Sequence, residues 1–277
     1  MITINSLSGG KTSSYLAVHY PANYHLFALV RTNHKSCMFP DKKVRQIVSD
    51  KIGTEFIGTL EMDNIVYTML DLEQFTGKEI VWISPITFEE SIQKHGNYLP
   101  NIMTRYCTTD IKVQPIAQWC YDNTELPVEM RIGFRGNEMS RAKTMLDKEI
   151  DGYEQFKFII GKKNNRNKWK TLPYRKCKFP LIEQGIFKDQ IEKYWNEHPV
   201  RFAYKNNCVG CFHRSEIFLK HMSNKDQRKF NWFVNIEKQK NCTFKNGITY
   251  DRISKFHTQL ELFDDDFNDC DSGYCGL

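Results

Sequence analysis

The stretch Ser6-Leu7-Ser8-Gly9-Gly10-Lys11-Thr12-Ser13-Ser14 constrains this chain more than any other. An apolar alternation, Met1-Ile2-Thr3-Ile4-Asn5, precedes it, and a helix-forming run, Tyr15-Leu16-Ala17-Val18, follows. Strand, glycine-rich turn and helix in that order make a layout for holding an anion. Two glycines let the backbone turn without a Cβ clash, and the helix that opens next presents its first N–H groups and the positive end of its dipole. Ser8, Ser13 and Ser14 add hydroxyl donors, and Lys11 adds a cation. A Walker A reading fails, because that motif needs a glycine five positions before its second one and Asn5 stands there. An ordinary β-turn-α connection is the plain alternative.

The pattern continues as alternating strands and helices. Residues 24–30 read as a buried strand, 41–51 as a helix with Val44, Ile47 and Val48 at helical spacing, and 55–58 as a short strand. A helix over about 65–72 and a strand over 79–84 follow. This predicts an α/β fold, a doubly wound parallel sheet of Rossmann type, with a helical, cysteine-containing C-terminal region. The expected division is an α/β domain over 1–200 and a second region over 201–277 that ends in an acidic, flexible tail. In such sheets ligands sit beyond the carboxyl ends of the strands, where Gly9 and Gly10 lie.

Composition narrows the class. A chain of 277 residues buries a sizeable core, and a formal charge of +6 suits an anionic ligand without identifying it. Nine cysteines with no export signal argue for reduced thiols, metal ligands or redox chemistry rather than a disulfide framework. With no apolar run long enough to span a bilayer, the expectation is a soluble, cytoplasmic protein without a membrane partner.

Three further segments carry chemistry. Arg105-Tyr106-Cys107-Thr108-Thr109 opens a helix in which Thr108 or Thr109 caps and Pro115 is tolerated, so Cys107 stands at a helix start as a nucleophile, a metal ligand or a small buried residue. A strand over 127–134 runs into Arg135, Glu138 and Arg141; the arginines suit phosphate or sulfate oxygens and Glu138 orients one of them, unless the segment is a solvated turn. Residues 157–178 hold nine Lys and Arg, no acid, and the aromatics Trp169 and Tyr174. This reads as a basic loop in which Lys162, Lys163, Arg166, Lys168 and Lys170 grip a nucleic acid, as a lid over a nucleotide's phosphates, or as plain surface.

Cys208-Val209-Gly210-Cys211 is a C-x-x-C, fit for a metal, a cluster or a redox dithiol, or else buried and inert. Zinc would draw two more ligands from Cys107, Cys177, Cys242 and His213. A [4Fe–4S] cluster would take the four thiolates Cys107, Cys177, Cys208 and Cys211. Residues 217–240 read as helical, with Phe218, Leu219, Met222, Phe230, Phe233 and Ile236 as core.

Four of these segments, in order, resemble the phosphoadenosine phosphosulfate reductase family of the PP-loop, or adenine nucleotide α-hydrolase-like, superfamily. They are Ser8-Gly9-Gly10-Lys11-Thr12-Ser13-Ser14; Arg105-Tyr106-Cys107-Thr108 with Lys112, Val113 and Pro115; Gly133-Phe134-Arg135 with Glu138 and Arg141; and Pro180-Leu181 with Cys208-Val209-Gly210-Cys211. Together they cover roughly residues 1 to 215. The resemblance implies an adenine nucleotide, phosphoadenosine phosphosulfate or ATP, on the first loop and cleavage beside its sulfate or α-phosphate. It implies Lys11 and Cys275 as catalytic residues, because Tyr274-Cys275-Gly276-Leu277 resembles the family's cysteine-bearing tail, and a thioredoxin-like reductant as partner. Cluster-containing members carry a Cys-Cys pair where this chain has Cys107-Thr108, so Cys177 would complete the set. A second branch of the superfamily adenylates and thiolates tRNA or DNA, with Mg²⁺ on the nucleotide; many of its members have aspartate at the position of Thr12. A nucleotide-binding protein without turnover is the third reading.

Overall fold

The computed structural model describes residues 1–164 and 166–256. β1 (Thr3–Leu7) passes through residues 8–10 into α1 (Lys11–His19), as the strand-turn-helix signal requires. β2 (Tyr24–Ala28), β3 (Arg31–Thr32), α2 (Lys42–Ile52), β4 (Gly58–Thr59), α3 (Asp63–Thr76), β5 (Ile80–Ile83) and α4 (Phe88–Lys94) follow. A single helical turn, α5 (Tyr106–Thr108), continues through a π-helical stretch (Thr109–Val113) into α6 (Gln114–Asn123), where Pro115 falls in the first turn. Next come β6 (Val128–Ile132), α7 (Met139–Leu146), β7 (Glu149–Ile150), β8 (Tyr153–Lys163) and β9 (Arg166–Lys178). α8 (Pro180–Glu183), α9 (Lys188–Asn196), α10 (Glu216–Lys225), α11 (Gln227–Lys240) and α12 (Tyr250–Ser254) complete the described elements.

Two compact units result. Among the described residues the first holds 1–28, 64–83 and 113–204; the second holds 29–63, 84–112 and 205–256. The expected break near residue 200 lies beside the one at 204, but two earlier segments join the C-terminal part. Neither segment carries a composition that marks it as separate from its neighbours.

The first unit is α/β, built on a seven-stranded sheet in the order β5-β2-β1-β6-β9-β8-β7 and flanked by helices. The pairs β1–β2, β2–β5, β1–β6 and β6–β9 are parallel, whereas β8–β9 and β7–β8 are antiparallel. β2 and β5 are mostly apolar and buried on both faces, whereas β1 and β6 bury Ile4, Val128 and Met130 between more polar neighbours. The chain builds outward from β1 through β2 to β5 and then returns to place β6 on the other side of β1. This makes the gap between the carboxyl ends of β1 and β6 a topological switch point, where open α/β sheets leave a crevice.

The basic segment is a correction to the sequence reading. It is not a loop but the arms of a long β-hairpin, β8 and β9, whose inner part carries the buried Phe158, Tyr174, Arg175 and Cys177. Alternation was masked because the polar residues of the outer arm occupy both faces.

The second unit pairs β3 with β4 and surrounds them with helices. Side-chain caps start its helices: Asp41 accepts from Lys43 and Val44 N–H, Thr87 and Glu90 form a capping box, and Ser215, Asp226 and Thr249 cap α10, α11 and α12. Its core includes Trp232, Phe233, Phe244 and Tyr250. The residues expected as core between 217 and 240 are buried except Ile236, which is half-buried, and the run is two helices rather than one. Beneath them lies a buried ion network: Lys112 Nζ donates to Glu61 Oε1 at 2.8 Å, and Lys229 donates to Asp63 Oδ1 at 2.7 Å and to the Glu61 carbonyl. Among the described residues no helix is long and apolar enough to cross a membrane.

Candidate functional site

Residues 8–10 close on themselves through one hydroxyl. Ser8 N–H donates to Ser13 Oγ at 3.1 Å, the two hydroxyls lie 3.1 Å apart, and Ser13 Oγ donates to the Gly10 carbonyl at 3.1 Å. Gly9 has φ +80°, and a Cβ placed there would lie 2.6 Å from Ile65 Cγ2, so the turn admits only glycine without rearrangement. Gly10 occupies the N-cap of α1 and offers no side chain to the helix end. The first-turn N–H groups of α1 are therefore left for a ligand or solvent. Ser14 Oγ is fully buried and has no hydrogen-bond partner among the described residues.

Lys11 is held by residues far along the chain. Its Nζ donates to Glu192 on α9, and its backbone carbonyl accepts from Trp195 Nε1 at 2.8 Å. Both partners of the ion pair are about one-third exposed, which places its worth near 0–1 kcal/mol. A phosphate could therefore take Lys11 from Glu192 at little cost. Nothing in the local sequence marks Glu192 or Trp195, because their role depends on where α9 packs.

β6 delivers the second group of expected residues to the same end of the sheet. A Cβ on Gly133 would stand 3.2 Å from Ser13 Cα, so the strand end packs closely on the first turn of α1 and a larger residue would push that backbone by a few tenths of an ångström. Arg135 follows, 9 % exposed. Glu138 holds both arginines rather than the expected one: Oε2 accepts from Arg135 N at 2.9 Å and Arg135 Nε at 3.1 Å, and Oε1 accepts from Arg141. Arg141 also lies over the Phe134 ring at 4.2 Å, and Phe134 stacks on Phe179. One carboxylate between two guanidinium groups leaves a surplus positive charge on rigid supports, suited to an anion.

The cysteines separate. Cys107, Cys208 and Cys211 line one cavity of about 40 Å³ inside the second unit, together with Lys112, His213 and apolar residues that include Phe88 and Phe233. The C-x-x-C turn is anchored from several sides. Cys211 N donates to the Cys208 carbonyl at 3.1 Å, Val209 N to the Leu60 carbonyl at 2.9 Å, and the buried Tyr250 hydroxyl to the Gly210 carbonyl at 3.0 Å. His213 is neutral near pH 7, since burial, followed by Arg105, Arg214 and Lys245, lowers its pKa to about 4. Cys177 belongs to the first unit. Its thiol faces Glu154 Oε2 at 3.8 Å, and burial pushes its pKa up to about 11, so it is a neutral thiol in the sheet. Cys242 does not line the cavity; its thiol donates to the Lys240 carbonyl at 3.1 Å.

Among the described residues no three His, Cys, Asp or Glu side chains are grouped closely enough to hold one metal ion. A single zinc therefore does not fit the described geometry. A four-iron cube spreads its ligands wider than one ion does, and three of the four expected thiols share the cavity.

Lys162, Lys163, Arg166, Lys168 and Lys170 are all exposed on the outer hairpin. Cys275 lies outside the described residues. Compared with family models, curated proteins and solved structures, the chain matches none.

Proposed function

We propose that the chain is an enzyme acting at the sulfate or phosphate end of an adenine nucleotide, of the phosphoadenosine phosphosulfate reductase kind within the PP-loop superfamily. The observation that carries the reading is that β1 and β6, adjacent and parallel, bring the open N-terminus of α1 and the Arg135–Glu138–Arg141 segment to the same carboxyl edge of the sheet, with Gly133 against the first turn of α1. Ser8, Gly9, Gly10, Lys11, Thr12, Ser13 and Ser14 cradle the phosphates through backbone N–H groups and hydroxyls, with the buried Ser14 hydroxyl gaining a partner when a ligand oxygen arrives. Arg135 and Arg141 take the anionic end, and Lys11 leaves Glu192 to stabilise charge as it develops. Cys275 supplies the nucleophile for sulfur in this reading, and a thioredoxin-like dithiol resets it.

A [4Fe–4S] cluster fits in part. Cys107, Cys208 and Cys211 would hold it in the second unit's cavity, and when bound it would supply redox or sulfur-transfer chemistry. Lys112, buried and paired with Glu61, forms part of that cavity's wall.

The exposed basic hairpin favours a second reading, an ATP pyrophosphatase that adenylates and thiolates a nucleic acid. One experiment separates them: anaerobically purified protein is given ATP and phosphoadenosine phosphosulfate together with Mg²⁺ and a dithiol, and the products are chromatographed. Adenosine 3′,5′-bisphosphate with sulfite is the expected result. AMP with pyrophosphate would replace the first reading by the second, and no turnover of either would leave a binding protein.

A further inference from the structure

The β8–β9 hairpin has an outer half that the nucleotide site does not use. Gln118 on α6 satisfies the edge of β8 at Ile159, accepting from its N–H at 3.0 Å and donating to its carbonyl at 3.1 Å. Beyond that point every described residue from Gly161 to Thr171 is exposed. The pairs Gly161↔Lys168, Lys162↔Asn167 and Lys163↔Arg166 continue the ladder to the tip, past a β-bulge between Ile159 and Gly161. Asn164 turns the chain with φ +50°, a conformation asparagine tolerates. Four residues past the last contact with α6, at about 3.4 Å each, give an arm of about 14 Å.

Pairing fixes which side chains share a face. Lys163, Arg166, Lys168 and Lys170 occupy one face, and Lys162, Asn167 and Trp169 the other, with Lys157 5.8 Å from the Trp169 ring. Cations therefore stand on both faces, and no carboxylate occurs between residues 157 and 178 to neutralise them. A solvated surface hairpin would be expected to mix signs.

We infer that this hairpin is an arm that binds duplex DNA through its phosphates, independently of what the nucleotide site catalyses. A two-stranded ribbon fits the major groove of B-form DNA, with phosphates on each side of it, and positive charge on both ribbon faces matches that arrangement. The A-form major groove of duplex RNA is too deep and narrow for a ribbon. A single strand is gripped by a channel with successive stacking rings, whereas this arm is a two-stranded ribbon with one exposed aromatic, Trp169. With Lys162, Lys163, Arg166, Lys168 and Lys170 engaged on phosphates, which carry no sequence information, binding is expected to be nearly independent of sequence.

The test is fluorescence anisotropy of the full chain with labelled 24-base-pair DNA duplexes of two unrelated sequences between 50 and 200 mM salt. Neutralising about five phosphates predicts a slope near −4 to −5 in log affinity against log salt, an affinity loss of about 500-fold across that range. The variant K162Q/K163Q/R166Q/K168Q/K170Q should lose most of that affinity while keeping its melting temperature and its ATP affinity; the pair R166Q/K168Q alone should lower the slope by about 2. No duplex binding at 50 mM salt, unchanged binding by the five-site variant, or tighter binding of single-stranded DNA or duplex RNA would overturn the inference. A variant that loses ATP affinity but keeps DNA affinity would make the hairpin a lid instead.

Discussion

Gly9 and Glu138 are the residues on which the candidate site rests, and each was visible in the sequence for a local reason. A glycine pair between an apolar strand and a helix announces a turn that other residues cannot make, and the φ of +80° at Gly9 bears this out. Gly9→Ala should lower stability by about 1–3 kcal/mol and weaken nucleotide binding at least tenfold, measured by denaturant titration and calorimetry. Adding Ile65→Ala should recover part of the stability, because the Cβ meets the Ile65 side chain; no recovery would place the strain in the backbone alone. Glu138→Gln leaves two guanidinium groups without their shared carboxylate, a loss of about 1–3 kcal/mol. Phosphate or sulfate should raise the melting temperature of that variant more than that of the parent. Equal shifts would mean that the arginines do not meet the anion. That Glu138 holds both arginines, and that Gly133 packs closely on α1, was not legible, since both depend on contacts made after folding.

At the scale of elements, α9 reaches the loop of α1 across 181 residues of sequence to pair Glu192 with Lys11. In the proposed function a phosphate would compete with Glu192 for the same ammonium group. Glu192→Gln should therefore raise ATP affinity by up to about fivefold, the equivalent of a surface ion pair near 1 kcal/mol, and Lys11→Met should lower it. Calorimetry decides this, and weaker binding by Glu192→Gln would show that the pair assembles the loop rather than restrains it. The longer helices were legible from apolar residues at helical spacing, whereas the short α4 and α12 were not, although Thr87 and Thr249 each cap a helix that begins at the next residue. The hairpin was not, because its outer arm lacks the apolar alternation that marks a strand with one buried face, and only backbone pairing reveals it.

For the whole molecule, two desolvated histidines, the buried His25 and the half-buried His213, make stability depend on pH. His25 is 2 % exposed on β2, and burial, followed by Lys78, lowers its pKa to about 4; His213 in the second unit is lowered likewise. Each is neutral when folded and takes up a proton near pH 6.5 when unfolded. Their contribution is complete above pH 6.5 and is lost as pH falls from 6.5 toward 4, by about 3 kcal/mol for His25. Denaturant midpoints should fall between pH 7.5 and 5, and His25→Leu should flatten that fall; an unchanged slope would remove His25 as its source. The sequence by itself determined the strand–turn–helix at the first loop and the mainly parallel α/β sheet, because glycine geometry and apolar runs act within a few residues; the expected cap at Thr108 or Thr109 is not made, since the helix opens earlier, at Tyr106, and runs on without a side-chain cap. Only the tertiary structure set β6 beside β1, grouped Cys107 with Cys208 and Cys211 while leaving Cys177 in the sheet, and turned the basic segment into a projecting ribbon. Those outcomes depend on which distant surfaces exclude water together, and no local pattern encodes that choice.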